Sequence, residues 1–269
     1  MNTTKTTKSF LYWQWRTIIV TMIGYALFYF VRKNFSFAIP GLSAEYGITK
    51  TSFGIIMTLV TIVYGLSRFL NGYMADRMNA RFHMAIGLLL CAIANYAFGF
   101  GADISALITG EDSGPQFTNM MVLVFGIILL LNNLYQGSGF PPCARLLSHW
   151  IPANQLATKM SIWNTSHSIG AFVAAVICGY LTDRRLCFWI PALISLFGIF
   201  FIIVTLRDTP KSVGLPELPN TKTELDDKED DPKAFRKFIM QKVFKNPIIW
   251  ILAITDLFVY IVRFAVLDW

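Results

Sequence analysis

Seven long apolar stretches divide this sequence, at roughly 17–40, 53–75, 83–102, 119–141, 158–181, 186–206 and 247–267. Each is close to the ~20 residues a helix needs to cross a hydrocarbon core. Inside that core there is no water to bond exposed backbone groups, so segments of this kind must satisfy their own N–H and C=O groups as helices. Of 269 residues, 55% are hydrophobic and only 14% charged, against about 25% charged in an ordinary soluble domain. The fold class that follows is an all-α polytopic membrane protein whose main solvent is the lipid bilayer.

The net charge of +7 does not point to nucleic acid, because the basic residues alternate by loop instead of gathering in one patch. Lys5, Lys8, Arg16, Arg77, Arg81, Arg145, Lys159 and the basic residues of 207–245 fall on one side of the spans, and Lys50, Arg184 and Arg185 on the other. The positive-inside rule then places the N-terminus in the cytoplasm. No cleavage site follows the N-terminal basic residues, so the first span reads as an uncleaved helix.

Cys91, Cys143, Cys178 and Cys187 show neither paired nor metal-ligand spacing and read as reduced packing residues. The sequence carries no metal or cofactor motif. It also lacks the nucleophile–base constellation or Gly-rich phosphate loop that would suggest an enzyme.

The one long hydrophilic stretch, 207–245, mixes both charge signs, and its end at Phe235–Phe244 has the pattern of a basic amphipathic surface helix. Three regions follow: a six-helix transmembrane bundle at 1–206, a cytoplasmic linker at 207–245, and at 246–269 the first helix of a second bundle. Transporters built from two halves bind their substrate between them, and a seventh helix alone makes no second half. The sequence therefore reads as the N-terminal part of a longer chain. Tyr29-Phe30-Val31-Arg32 in the first span and Tyr260-Ile261-Val262-Arg263 in the seventh form a short internal match at similar depth.

A charge inside a span costs at least about 2.5–3.5 kcal/mol on insertion scales. Arg32, Lys33, Arg68 and Arg263 therefore require explanation. Lys33 can snorkel to the interface. Asp256 is the only acid well inside a span, and one acid cannot neutralise three arginines. The excess positive charge calls for an anionic ligand. Arginine's planar fork pairs with phosphate, carboxylate or sulfate oxygens, and the residues alone do not separate these.

His167 lies mid-span with Asn164 one turn away. An imidazole titrates near pH 6.5, in the range of the second ionisation of phosphate. Tyr25, Tyr29 and Tyr64 keep helical spacing with Arg32 and Arg68 and are candidates to line the same cavity. Gly72, Asp76, Arg77 and Arg81 close the second span as a G-x-x-x-D-R loop. In such a loop an aspartate can accept from a helix N-terminus or a basic neighbour and latch one conformation.

Six ordered segments carry a resemblance across essentially the whole chain. They are Tyr29-Phe30-Val31-Arg32-Lys33-Asn34-Phe35, Tyr64-Gly65-Leu66-Ser67-Arg68-Phe69, Gln136-Gly137-Ser138-Gly139-Phe140-Pro141-Pro142-Cys143, Trp163-Asn164-Thr165-Ser166-His167, the stretch from Arg207-Asp208-Thr209-Pro210 to Pro216, and Val259-Tyr260-Ile261-Val262-Arg263. They resemble the organophosphate:inorganic phosphate antiporters of the major facilitator superfamily, with the chain's end at 266–269 nearest the glycerol-3-phosphate branch. The resemblance implies the major facilitator fold and exchange of glycerol-3-phosphate or a sugar phosphate for inorganic phosphate by alternating access. It also implies a monomer in the bacterial inner membrane. Arg32 and Arg263 would bind the substrate phosphate with His167 and Arg68 beside them. Tyr25, Tyr29, Tyr64, Gln136, Asn164 and Tyr260 would line the cavity. Some family members sense external sugar phosphate instead of moving it, and a non-functional truncated product is a further alternative.

Overall fold

The computed structural model describes residues 3–181, 183–218, 237 and 240–267. Two compact units divide the chain, Met1–Leu218 and Pro219–Trp269. In the first unit the helices are α1 (Thr3–Tyr46), α2 (Lys50–Arg77), α3 (Ala80–Phe98), α4 (Gly101–Thr109), α5 (Pro115–Gln136), α6 (Phe140–Trp150), α7 (Ala153–Tyr180) and α8 (Leu186–Thr205). Among the described residues, six helical stretches are long and apolar enough to cross a bilayer, with Pro115–Trp150 counted as one. The second unit holds a π-helical turn at Met240–Phe244 and α9 (Pro247–Leu267). That last helix coincides with the seventh expected span. Residues 235, 236, 238 and 239 of the expected amphipathic segment, like Asp268 and Trp269 at the chain's end, lie outside the described residues.

Local chemistry sets the ends of these helices. α1 stops where Gly47 takes a positive φ of +66° and its N–H returns to the Ser43 carbonyl at 3.0 Å, a left-handed cap that glycine adopts without steric cost. The Thr49 hydroxyl accepts from the Ser52 N–H at the start of α2, and the Asn79 side-chain Oδ1 accepts from the Arg81 N–H at the start of α3. Both are N-caps of the preferred residue types.

The span expected at 119–141 is two helices, α5 and α6, separated at Gly137-Ser138-Gly139. A Cβ on Gly137 would lie 2.7 Å from the Ser67 backbone carbonyl carbon, so this segment presses directly on α2. Pro141 and Pro142 then sit in the first turn of α6, where missing N–H groups cost nothing. The crossing continues to Trp150, nine residues past the expected end.

α1 packs mainly on α7 and α8, α3 on α8 and α5, and α2 on α5. One apolar core gathers around Phe28, Met84, Leu88, Leu146 and Trp163. A second, rich in aromatics, gathers around Phe35, Phe98, Phe117, Phe125 and Phe188. Buried amides stitch the helices together near these cores. Asn34 donates to Asn95 Oδ1 at 2.9 Å and to the Cys187 carbonyl at 3.0 Å, and Asn95 donates to the Phe188 carbonyl at 2.8 Å. In lipid the hydrophobic effect does not draw helices together, so such bonds and close small-residue contacts do. α7 meets α1 at Gly170, where an added Cβ would lie 2.2 Å from the Ala26 carbonyl oxygen.

Residues 207–218, placed in the linker by the sequence, fold back onto the first unit. Trp150 Nε1 donates to the Arg207 carbonyl at 3.1 Å, and Asp208 Oδ1 accepts from the Ala80 N–H at 2.8 Å. A short 3-10 turn follows at Pro210–Val213.

Candidate anion-binding site

Arg32 on α1 and Arg68 on α2 share one tyrosine. The Arg32 guanidinium carbon is 4.0 Å from the Tyr64 ring centroid and 5.6 Å from that of Tyr29. Arg68 lies 5.7 Å from the same Tyr64 ring and 4.9 Å from Phe140. The electron-rich faces of these rings hold and orient cations without neutralising them. Among the described residues no ion pair reaches Arg32, and the groups acting on its charge are Tyr64, Tyr29 and Tyr25. The arrangement is a half-buried guanidinium with its charge uncompensated.

α7 supplies the next wall. Tyr29 packs on the His167 ring at 5.3 Å between centroids, and Tyr25 stacks on Trp163 at 4.7 Å. Trp163 Nε1 in turn donates to the Thr21 hydroxyl at 3.1 Å, which fixes the helix pair at this depth. Ser161, Asn164, Thr165 and Ser168 form an exposed polar stripe on α7 at i, i+3, i+4 and i+7 spacing. Polar side chains exposed within a membrane span face an aqueous cavity or another protein surface rather than lipid. This stripe runs beside the half-buried His167.

The structure thus brings together Arg32, Arg68, Tyr25, Tyr29, Tyr64 and His167, with Asn164 on the adjoining stripe. Gln136 does not join them. It is buried, and its amide is held by the Phe28 carbonyl at 3.0 Å and Asn132 Oδ1 at 3.4 Å. Its role is to fasten α5 to α1, behind the cavity wall. Tyr260 and Arg263 lie on α9 in the second unit, and the Arg263 side chain falls outside the described residues.

The loop motif closes α2. Asp76 is exposed, Arg77 lies over the Tyr73 ring at 3.7 Å, and Arg81 bonds the Ile203 carbonyl at 3.4 Å. Nothing lies within 4 Å of a Cβ placed on Gly72. Asp208 accepts from the N-terminus of α3. It takes the Ala80 N–H and pairs with Arg145 at 3.4 Å, while Arg145 donates to the Ala75 carbonyl at 2.7 Å. Asp208 and Arg145 were legible only as members of a motif and a basic loop. Their partners lie 128 and 63 residues away in sequence from Asp208.

Residues 21–269 match the Major Facilitator Superfamily. The chain belongs to that superfamily. Among its relatives are a probable hexose phosphate transport protein of Chlamydia trachomatis (37% identical over 97% of this chain and 57% of the relative) and a glycerol-3-phosphate transporter of Bacillus subtilis (36% over 94% and 56%). A membrane sensor protein of Escherichia coli is 32% identical over 96% of this chain and 56% of its own length. The chain thus spans about half the length of the curated relatives it matches. As a major facilitator chain, it presents the arginine-tyrosine cluster on the helices of one bundle.

Proposed function

We propose that this chain forms the first bundle and seventh helix of a secondary transporter that moves a phosphate ester across the bacterial inner membrane in exchange for inorganic phosphate. The observation that carries the reading is Arg32, an intramembrane guanidinium held between Tyr64 and Tyr29 with no ion pair among the described residues. A cation stabilised in orientation but left uncompensated is ready for a dianionic group. The names of three relatives, for hexose phosphate, glycerol-3-phosphate and phosphoglycerate transport, favour a phosphate ester over a carboxylate or sulfate.

In this mechanism Arg32 and Arg68 receive the phosphoryl oxygens and His167 donates a hydrogen bond. Arg263 completes the site from the second half. Without substrate, like charges on the two halves oppose closure. Phosphate neutralises them, and the occupied site alone rocks between faces. That selectivity makes the movement an exchange: the halves cross over only when carrying one anion or the other.

The test is exchange of labelled phosphate for organophosphate by the full-length gene product in proteoliposomes. Arg32→Lys keeps the charge and loses the fork, and losing one partner of a buried charge contact costs about 2–5 kcal/mol. Exchange should fall at least roughly thirtyfold on that scale. Near wild-type exchange by both Arg32→Lys and Arg263→Lys proteins would sink the reading.

A second reading, a sensor of external sugar phosphate, is favoured by the relative named as a membrane sensor. It predicts phosphate-ester binding with no uptake of labelled ester by cells expressing the intact gene. Uptake above vector controls decides for transport.

A further inference from the structure

Spacing in the sequence gives no reason to pair the four cysteines, yet the structure places two of them in contact. Cys178 lies in the last turn of α7 and Cys187 in the first turn of α8. Cys178 Sγ is 3.9 Å from the Cys187 carbonyl oxygen, and Cys187 Sγ is 3.8 Å from the Cys178 carbonyl oxygen. Such reciprocal contact sets the two residues opposite one another across the α7–α8 turn. A disulfide needs Cβ atoms about 3.5–4.5 Å apart, and two cysteines whose side chains each reach the other's carbonyl are close to that arrangement. The other two are not placed for it: Cys143 is buried against Met84 at 3.7 Å and Cys91 bonds the Asn132 carbonyl.

We propose that Cys178 and Cys187 form a reversible disulfide across the α7–α8 hairpin, a redox modification site at the external end of the bundle. The external location rests on the cytoplasmic N-terminus argued from the basic loops. On that side, chains meet an oxidising environment that keeps disulfides formed.

Exposure orders the chemistry. Cys178 is partly exposed and Cys187 is 4% exposed, so Cys178 meets the oxidant first. Its thiol gives up a proton and attacks one sulfur of a small-molecule disulfide, RSSR. A Cys178–SR mixed disulfide forms, and RS⁻ leaves to take up that proton. The Cys187 thiol, deprotonated in turn, displaces the second RS⁻, which leaves as RSH. The pair loses two electrons and two protons, and RSSR becomes two RSH. The bond ties α7, which bears Trp163 and His167, to a helix it otherwise touches little, since α7 packs chiefly on α1 and α8 chiefly on α3 and α1.

The experiment counts thiols. The purified chain is reduced, freed of reductant, treated with oxidised glutathione, denatured and alkylated with N-ethylmaleimide. The reduced protein has four cysteines and takes four labels. The oxidised protein should take two. Arg184 and Arg185 lie between the pair, so trypsin separates the two cysteines and only a disulfide keeps their peptides together in a non-reducing digest. A Cys91→Ala/Cys143→Ala protein, with the pair intact, should go from two labels to none. Retention of all labels after the oxidant, or a link involving Cys91 or Cys143, overturns the proposal. Whole cells, first treated with a membrane-impermeant phosphine that opens external disulfides and then exposed to a membrane-impermeant maleimide, provide the separate test of sidedness. Labelling of Cys178 there supports the external site. Pairing in the purified protein without labelling in cells overturns the external location and the proposed orientation, while leaving the disulfide standing.

Discussion

Tyr64 is the residue on which the candidate site turns, because both arginines meet its ring. A cation over an aromatic face gains about 0.5–1 kcal/mol in water and about 2 kcal/mol or more when desolvated. Replacing Tyr64 with Phe keeps the face; replacing it with Leu removes it and frees Arg32 to take other rotamers. In the full-length protein, Tyr64→Leu should weaken phosphate-ester binding by roughly 5–30-fold on the cation–π scale, while Tyr64→Phe stays near wild type. Titration calorimetry in detergent measures both. Equal losses would mean that the hydroxyl, not the ring face, matters at this position. The sequence made Tyr64 and Arg68 visible as an i, i+4 pair, and Arg32 as a buried charge. It did not show that one ring serves both cations, since that depends on how α1 and α2 approach. Gln136 illustrates the opposite error: a polar residue in a span read as a cavity liner, whose amide is spent on the Phe28 carbonyl.

At the level of helices, the sequence located six apolar crossings well because hydropathy over ~20 residues is a strong signal in a medium that forbids open backbone. Breaks inside a crossing are weaker signals, and Gly137-Ser138-Gly139 did not disclose that α5 ends there. Close approach leaves the same kind of trace, a lone glycine whose neighbour is unknown until the helices are packed. Gly170 and Gly179 share α7 and make a matched pair. A Cβ on Gly170 would collide with the Ala26 backbone at 2.2 Å, whereas nothing lies within 4 Å of one on Gly179. Backbone cannot swing aside as a side chain can, so Gly170→Ala must push α1 from α7 and should cost at least the ~1–3 kcal/mol of ordinary overpacking. Gly179→Ala should be neutral or stabilising by up to about 1 kcal/mol, the usual gain for removing glycine from a helix. Thermal unfolding in detergent should therefore move the two midpoints in opposite directions. A Gly170→Ala protein as stable as wild type would mean that α1 and α7 are not packed this closely.

For the molecule as a whole, the two ends of the first unit treat their arginines differently, and that bears on which end faces the cytoplasm. At one end, Arg16, Arg81 and Arg145 donate to backbone carbonyls of Thr205, Ile203 and Ala75, with Arg77 and Arg207 nearby in the same connections. At the other, Arg184 pairs with Glu45, and Arg185 pairs with Asp103 at 2.9 Å. At the first end Arg145 also pairs with Asp208, yet its connections carry more arginines than acids; at the second, Arg184 and Arg185 each meet an acid. Insertion holds back the loops rich in Lys and Arg, and we therefore propose that the first end faces the cytoplasm. Six crossings from a cytoplasmic N-terminus return the chain to that side after α8, and leave the α4–α5 connection outside. Ser113 and Ser212 are exposed and mark the two sides. In a protein with its native cysteines replaced, Ser113→Cys should react with a membrane-impermeant maleimide added to whole cells. Ser212→Cys should react only after the membrane is opened. The reverse pattern would invert the molecule, place the α7–α8 turn in the reducing cytoplasm and remove the basis for an external thiol pair. Labelling of both positions in intact cells would mean that the chain does not cross six times between its N-terminus and Ser212. The crossing number matters to the proposed exchange, because a second half joined after an even number of spans begins on the side where the first began. The proposed exchange requires that parity, since its seventh span is expected to enter from the same side as the first.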